Sequence, residues 1–231
     1  MSIKIDSLEV VGLEHAIRGM RNSLQIGPRD NDTDLDILER FSSTPDKTNA
    51  ITRDPLKMIH LYADITAPLY FWMDVNAVTP INSIYEPVRQ EIYFRKANFT
   101  IDDFSVDLQT SKDDIEEIKR VIDILNTNLH EWREGHRTEH GGWYTTHADH
   151  IQILRILPLC YNHKQTVDIS YRDLKNIYHV YYWRCELSAE WHEFLQFIEE
   201  LPYSELIINE DKQCEQERQK RQREEMLKKR G

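Results

Sequence analysis

Two arginines flank a dense aromatic run between Tyr178 and Trp183: Arg172 on one side and Arg184 on the other. A guanidinium held beside aromatic rings suits a phosphate or a nucleic base, because it offers planar charged donors and stacks on ring faces. The same two side chains are equally well placed for structural ion pairs with Asp173 or Glu186, and the sequence leaves both readings open. A second candidate region runs from Met58 to Tyr85. It opens with a strand-like segment, Met58 to Ile65, and then places Thr66 at a helix N-cap position with Pro68 just inside the helix. Leu69 to Met73 is apolar and aromatic, and a polar loop with Asn76, Thr79, Asn82 and Ser83 follows. A strand that delivers a helix start beside a polar loop suits an anionic ligand, since backbone N–H groups at a helix N-terminus favour negative charge. The plainer reading is a buried strand and helix with an ordinary loop.

Other chemistry is weaker or excluded. His130, His136, His140, His147 and His150 lie close in sequence, but no carboxylate completes a metal signature such as HExxH. Surface histidines in a polar loop are the expectation there, and no metal site is expected. With 7 glycines the chain has no Walker A loop, no GxGxxG turn and no GxSxG nucleophile elbow. Cys160, Cys185 and Cys214 are odd in number and lack CxxC spacing, which fits reduced thiols in a cytoplasm. The N-terminus has no basic segment leading into an apolar one, so no signal peptide is expected. No apolar run approaches the roughly 20 residues needed to span a bilayer, so no membrane association is expected.

Composition narrows the class further. The chain has 231 residues, 40% hydrophobic and 30% charged, as in a soluble globular protein. A net charge of −11 argues against nonspecific nucleic-acid binding. An acidic body that binds a small anion must concentrate a few arginines locally. From Glu210 to Gly231 the balance reverses, with 8 Lys/Arg against 6 Asp/Glu. That tail lacks an apolar seam and reads as a solvated helix or as disorder, with a partner-binding helix as the functional alternative.

The elements that must position these residues follow from periodicity. Ile3 to Val11 reads as a strand ended by Gly12, and Leu13 to Leu24 as a helix with Leu13, Ile17, Met20 and Leu24 on one face. Gly27-Pro28 stops that helix, and Asp32 or Thr33 can cap a short one through Leu35, Ile37, Leu38 and Phe41. Ser42 to Thr52 is a polar loop. Glu86 to Phe104 resists assignment, apart from a short turn begun at Thr100 or Asp102. Ser111 to Trp132 is the clearest helix, with a near-capping box at Ser111 and Asp114 and a stripe of Ile115, Ile118, Ile122, Leu125 and Leu129. Glu134 to Gly142 is a break, and a helix from about Thr146 to Leu157 ends at Pro158. Tyr161 to Ile169 is a connection with a short strand at Thr166 to Ile169. Ser170 caps a helix over Tyr171 to Cys185, and another covers Ser188 to Glu200.

Several of these segments together resemble the flavin-dependent thymidylate synthases, the ThyX family, and more closely a set of bacteriophage proteins of that type. Ile156-Leu157-Pro158-Leu159 is similar to the family's helix end. Ser170-Tyr171-Arg172-Asp173-Leu174 is similar to its Asn-x-Arg-x-Leu helix start, and Arg184 with Ala189-Glu190-Trp191 to its Arg and Ala-Gln-Trp pattern. The phage-type likeness adds Ala16 to Asn22, Asp64 to Tyr70, Asn82-Ser83 and Leu201 to Ile207, so roughly half the chain is touched. The resemblance implies an α+β fold, a curved mixed sheet packed with helices, over a single domain 1–208 followed by a charged tail 209–231. It implies a homotetramer that holds FAD and dUMP and methylates dUMP with methylenetetrahydrofolate.

One departure bears on the chemistry. The family's Arg-His-Arg signature falls where this chain reads Asp74-Val75-Asn76-Ala77-Val78-Thr79, with Ser83 further on. Losing both arginines removes bidentate phosphate donors, and the aspartate adds repulsion. The expectation is therefore a nucleotide-binding relative without full methyl transfer. By the resemblance Arg172 and Arg184 contact phosphate, Asn82 and Ser83 meet base or sugar, and the helix start at Thr66 helps place the anion. The alternatives are an active synthase with a divergent flavin loop, and a scaffold that binds a host protein.

Overall fold

Residues 3–24, 34–39, 54–95, 97–107, 110–134, 136–137, 143–144, 147–184 and 187–209 are described by the structure, a computed structural model. The fold is α+β. Strands β1 (Lys4–Val11), β2 (His60–Pro68), β3 (Asn82–Ile84) and β6 (Asn162–Ser170) form a four-stranded sheet in the order β1-β2-β6-β3. Two short strands, β4 (His136–Arg137) and β5 (Trp143–Tyr144), pair antiparallel by themselves. The helices are α1 (Leu13–Leu24), α2 (residues 34–39), α3 (Leu69–Val78), α4 (Val88–Phe94), α5 (Lys112–Glu134), α6 (His147–Ile156), α7 (Tyr171–Tyr182), α8 (Ala189–Glu200) and α9 (residues 205–209).

Strand alternation decides the two faces of the sheet. In β2, Leu61, Ala63, Ile65 and Ala67 are buried, while His60, Tyr62, Asp64 and Thr66 between them are half-buried or exposed. In β6, His163, Gln165, Val167 and Ile169 are buried. This period of two is what a half-covered sheet requires.

The chain divides into two compact units. The first comprises Met1–Ile5, Asp64–Asp74 and Ser83–Thr166. Its core gathers Ile92, Phe99, Phe104, Ile122, Leu125, Leu129, Ile153 and Tyr161. The rings of Phe99 and Phe104 pack against Tyr161 at 6.0 and 5.7 Å between centroids, within the range favoured by tilted and edge-to-face pairs. The predicted helix over Ser111 to Trp132 is present as α5. The Ser111 hydroxyl accepts the Asp114 N–H at 3.1 Å, which is one half of a capping box, and donates to the Asp114 carboxylate at 2.7 Å. The turn expected at Thr100 is a 3-10 turn, Ile101–Asp103, with a reciprocal capping box between Thr100 and Asp103.

The second unit comprises Asp6–Ala63, Val75–Asn82 and Val167–Gly231. Here α1 and α7 both contact the 3-10 turn Pro55–Met58, and α7 contacts α8. Helix α1 has the predicted bounds and buries Ala16 and Met20 from its apolar face. Arg21 beside that stripe pairs with the buried Asp34 at the start of α2. Gly12 ends β1 at φ +96, and a Cβ built there would lie 1.9 Å from the Met58 carbonyl oxygen. Both facts demand glycine.

Five expectations are corrected. Thr66 is not an N-cap: it and Pro68 belong to β2, and α3 begins at Leu69 with no intervening loop. Asn76 therefore sits in α3, and Asn82 and Ser83 in β3, rather than in a polar loop. The short strand at Thr166 to Ile169 is the end of a nine-residue strand, because Asn162 to Gln165 continue the same alternation through polar residues. The break after Glu134 contains β4, and α7 ends at Tyr182 rather than Cys185. Gly27-Pro28, the Asp32/Thr33 cap, the Ser42 to Thr52 loop, His140, Cys185, Glu186, Cys214 and the tail from Glu210 onward lie outside the described residues.

Candidate functional site

The predicted cap at Ser170 organises the strongest candidate site. Ser170 ends β6 in extended backbone, and its hydroxyl accepts the Asp173 N–H at 3.1 Å, which starts α7. The same hydroxyl donates to Asp173 Oδ2 at 2.6 Å. Thr79, just past α3 and itself buried, donates its hydroxyl to Asp173 Oδ1 at 2.9 Å. Both oxygens of Asp173 are thereby occupied, and Asp173 is not the partner of Arg172. The Arg172 Nε–H instead donates to Oδ2 of Asp54. Asp54 caps the 3-10 turn Pro55–Met58 by accepting the Leu56 N–H on its other oxygen at 3.0 Å. Sequence reasoning missed Asp54. The signal was present, since Asp immediately before Pro is a capping residue followed by a residue that prefers the first helical position.

Arg184 sits two residues beyond α7. Its guanidinium lies 4.3 Å from the centroid of the Tyr181 ring, in the range of a cation–π contact. Tyr181 in turn stacks on Trp191 of α8 at 3.5 Å with a 12° interplanar angle. Among the described residues no carboxylate pairs with Arg184, and the side chain is exposed. The twelve residues of α7 separate the two arginines by a helix about 18 Å long, so a single phosphate does not reach both.

Asn82 lies at the sheet edge in β3, exposed, and donates to Asp168 Oδ2 at a long 3.5 Å. The other Asp168 oxygen meets His60 Nδ1 at 2.5 Å, and His60 Nε2 faces the Lys57 carbonyl at 2.9 Å. Ser83 in β3 and Thr66 in β2 are half-buried strand residues. The N-terminus of α3, expected to hold an anion, is filled from within the chain. The Leu69 N–H donates to the Tyr161 carbonyl at 3.0 Å, and the Tyr70 N–H to the Leu159 carbonyl at 3.2 Å. Among the described residues no cluster of His, Cys, Asp and Glu has the arrangement of a metal site.

A second polar network is buried in the first unit. Tyr161 donates its hydroxyl to Glu91 Oε1 at 2.6 Å, and Glu91 Oε2 meets His163 Nδ1 at 2.9 Å. Burial first, and then the Glu91 carboxylate, push the Tyr161 phenol well above its ordinary range. In the second unit, burial likewise raises Tyr171, whose hydroxyl donates to the Pro202 carbonyl. A folded-state value raised above the unfolded one means stability that is complete below about pH 10 and is lost as pH rises further. Tyr161 and Tyr171 should therefore ionise only as the protein unfolds in alkali. Phenolate absorbance followed beside far-UV circular dichroism checks this. Tyr161→Phe should remove one late-ionising group, and an unchanged titration curve would contradict the assignment.

No protein-family model and no curated protein matches the sequence. Solved structures do match by shape. The chain is similar to the flavin-dependent thymidylate synthase ThyX of Helicobacter pylori complexed with FAD and dUMP, at TM-score 0.63 and 12% identity, over 90% of this chain and 98% of that one. A second structure of the Helicobacter pylori enzyme with FAD and dUMP gives TM-score 0.64 and 13% identity over the same shares. The chain therefore has a ThyX-like fold.

Proposed function

We propose that this chain is a ThyX-like protein that binds a nucleotide-type anion such as dUMP and does not carry out flavin-dependent methyl transfer. The observation that carries the reading is Arg172 on the first turn of α7. Ser170 and Asp173 fix that turn, Asp54 holds the guanidinium, and the fold is similar to proteins solved with dUMP. Arg172 contacts phosphate. Arg184, on its Tyr181 ring, supplies a second cationic contact for an anionic or aromatic part of the ligand. Asn82, in the same unit as both arginines, is the contact for base or sugar. A phage origin and a homo-oligomer are what the sequence resemblance to bacteriophage ThyX-type proteins implies.

The residues of α3 do not fit FAD. Leu69–Val78 carries no basic side chain, Asp74 introduces a negative charge, and the first two N–H groups are already bonded to Tyr161 and Leu159. A flavin dinucleotide brings a diphosphate that needs cations or free N–H donors. Chemistry that depends on flavin is accordingly not assigned to this chain.

The test is thermal unfolding in the presence of a panel of nucleoside monophosphates, with dUMP included, beside an absorbance spectrum of the purified protein. Stabilisation by dUMP that is lost in Arg172→Ala, in a colourless protein, is the expected result. At a ligand concentration about 100 times Kd the stabilisation amounts to about 2.7 kcal/mol. A yellow protein with flavin bands would instead favour an active synthase, the reading suggested by the FAD in the similar structures.

A further inference from the structure

The manner in which Arg172 is held says how it meets its ligand. Only Nε donates to Asp54, whereas Arg21 meets Asp34 through both Nε and Nη2. Among the described residues neither Nη group of Arg172 has a partner, and the side chain keeps 26% of its surface exposed. The carboxylates nearest in sequence and space cannot turn toward those donors without losing bonds. Asp173 is engaged by Thr79 and Ser170, and Asp54, only 5% exposed, gives its second oxygen to the Leu56 N–H.

We propose that Asp54 is the positioning residue for Arg172: it locks the guanidinium by Nε and presents Nη1 and Nη2 end-on as a two-donor fork for a phosphate monoester. This inference rests on the nucleotide-binding reading and adds the geometry of recognition. An arginine that approaches side-on uses Nε and one Nη; with Nε occupied, only the end-on pair remains for two phosphate oxygens. Fixing the side chain in advance removes rotamer freedom that binding would otherwise have to remove. The Asp54 charge also offsets the Arg172 charge, so the site selects an anion that can accept two parallel hydrogen bonds rather than any negative group.

Asp54→Asn is the informative variant. Its amide oxygen still caps the turn at Leu56, while its amide nitrogen faces Arg172 Nε and breaks the pair, so the fold is retained. The expected result is dUMP binding weakened about tenfold or more, as for losing a charge-assisted bond. Arg172→Ala should cost at least as much, and Asp54→Asn added to Arg172→Ala should cost nothing further. Nitrogen-15 spectra of the arginine side chains supply a readout independent of dUMP. The Arg172 Nε–H should be protected from exchange in the wild type and lose that protection in Asp54→Asn, and inorganic phosphate should move the Arg172 signals only in the wild type. If Asp54→Asn binds dUMP as the wild type does and keeps the Nε–H signal, the fork is wrong while the nucleotide reading stands. If dUMP fails to bind the wild type but phosphate moves Arg172 in an Asp54-dependent way, the nucleotide reading falls and the fork stands.

Discussion

Gly12→Ala is expected to destabilise the protein by on the order of 3 kcal/mol or more, the combined effect of a left-handed backbone and a displaced carbonyl. The reasons are separate and add. A residue with a side chain at φ +96 is strained wherever it sits. The Cβ would also lie 1.9 Å from the Met58 carbonyl oxygen and 3.0 Å from its carbon, and these are backbone atoms that cannot rotate away. Relief requires that the end of β1 separate from the turn Pro55–Met58 on which α1 and α7 rest. Gly19 provides the internal control. It lies within α1, and a Cβ there meets only the Met58 sulfur at 3.5 Å, an ordinary contact. Gly19→Ala should raise stability by about 0.5–1 kcal/mol through helix propensity. Urea unfolding of the two variants gives opposite shifts of the midpoint with similar slopes. Equal midpoints would show that β1 and the turn are not held together as described.

The second large effect is at Trp191. Its ring is 3% exposed, stacks on Tyr181 and meets Phe194 edge-on at 6.0 Å between centroids. Trp191→Ala should cost about 3–5 kcal/mol, the range for deleting a buried large aromatic side chain. It should also remove the support of the ring over which Arg184 lies, so any contribution of Arg184 to ligand binding should fall with it. Trp191→Phe keeps an aromatic surface and should lose less. Denaturant unfolding and the near-UV circular dichroism of the aromatic stack report the two consequences together. A Trp191→Ala variant as stable as the wild type would mean that α7 and α8 are not joined through this stack.

The legible parts of the chain were those governed by local rules. The bounds of α1 follow from the apolar stripe and Gly12, and the starts of α5 and α7 from Ser111 and Ser170. What escaped depends on partners remote in sequence. Thr66-Ala67-Pro68 reads as a helix entry because a polar β-branched residue two places before proline is a good N-terminal signal. Within β2, however, Thr66 keeps the alternation that begins at Leu61, and burial of Leu61, Ala63, Ile65 and Ala67 outweighs that local preference. Strand β6 escaped for a related reason: His163 and Gln165 are buried polar residues, so its alternation is not one of hydrophobicity. At the candidate site Arg172 was identifiable from its setting, but its true partner, Asp54, is 118 positions away and no spacing rule reaches that far.

That separation has a consequence for how the chain must fold. The Trp72 indole reaches the His163 carbonyl across 91 positions, Thr166 meets Asp64 across 102, and His60 meets Asp168 across 108. Pairing β2 with β6 closes a loop of about a hundred residues, and its entropy must be lost before any of these bonds forms. Helices α5 and α7, with local caps, can form within about a microsecond, whereas the central strand pair sets the slow step. The side-chain pairs Thr166–Asp64 and His60–Asp168 between those strands are then late arrivals. Their loss should accelerate unfolding far more than it slows refolding.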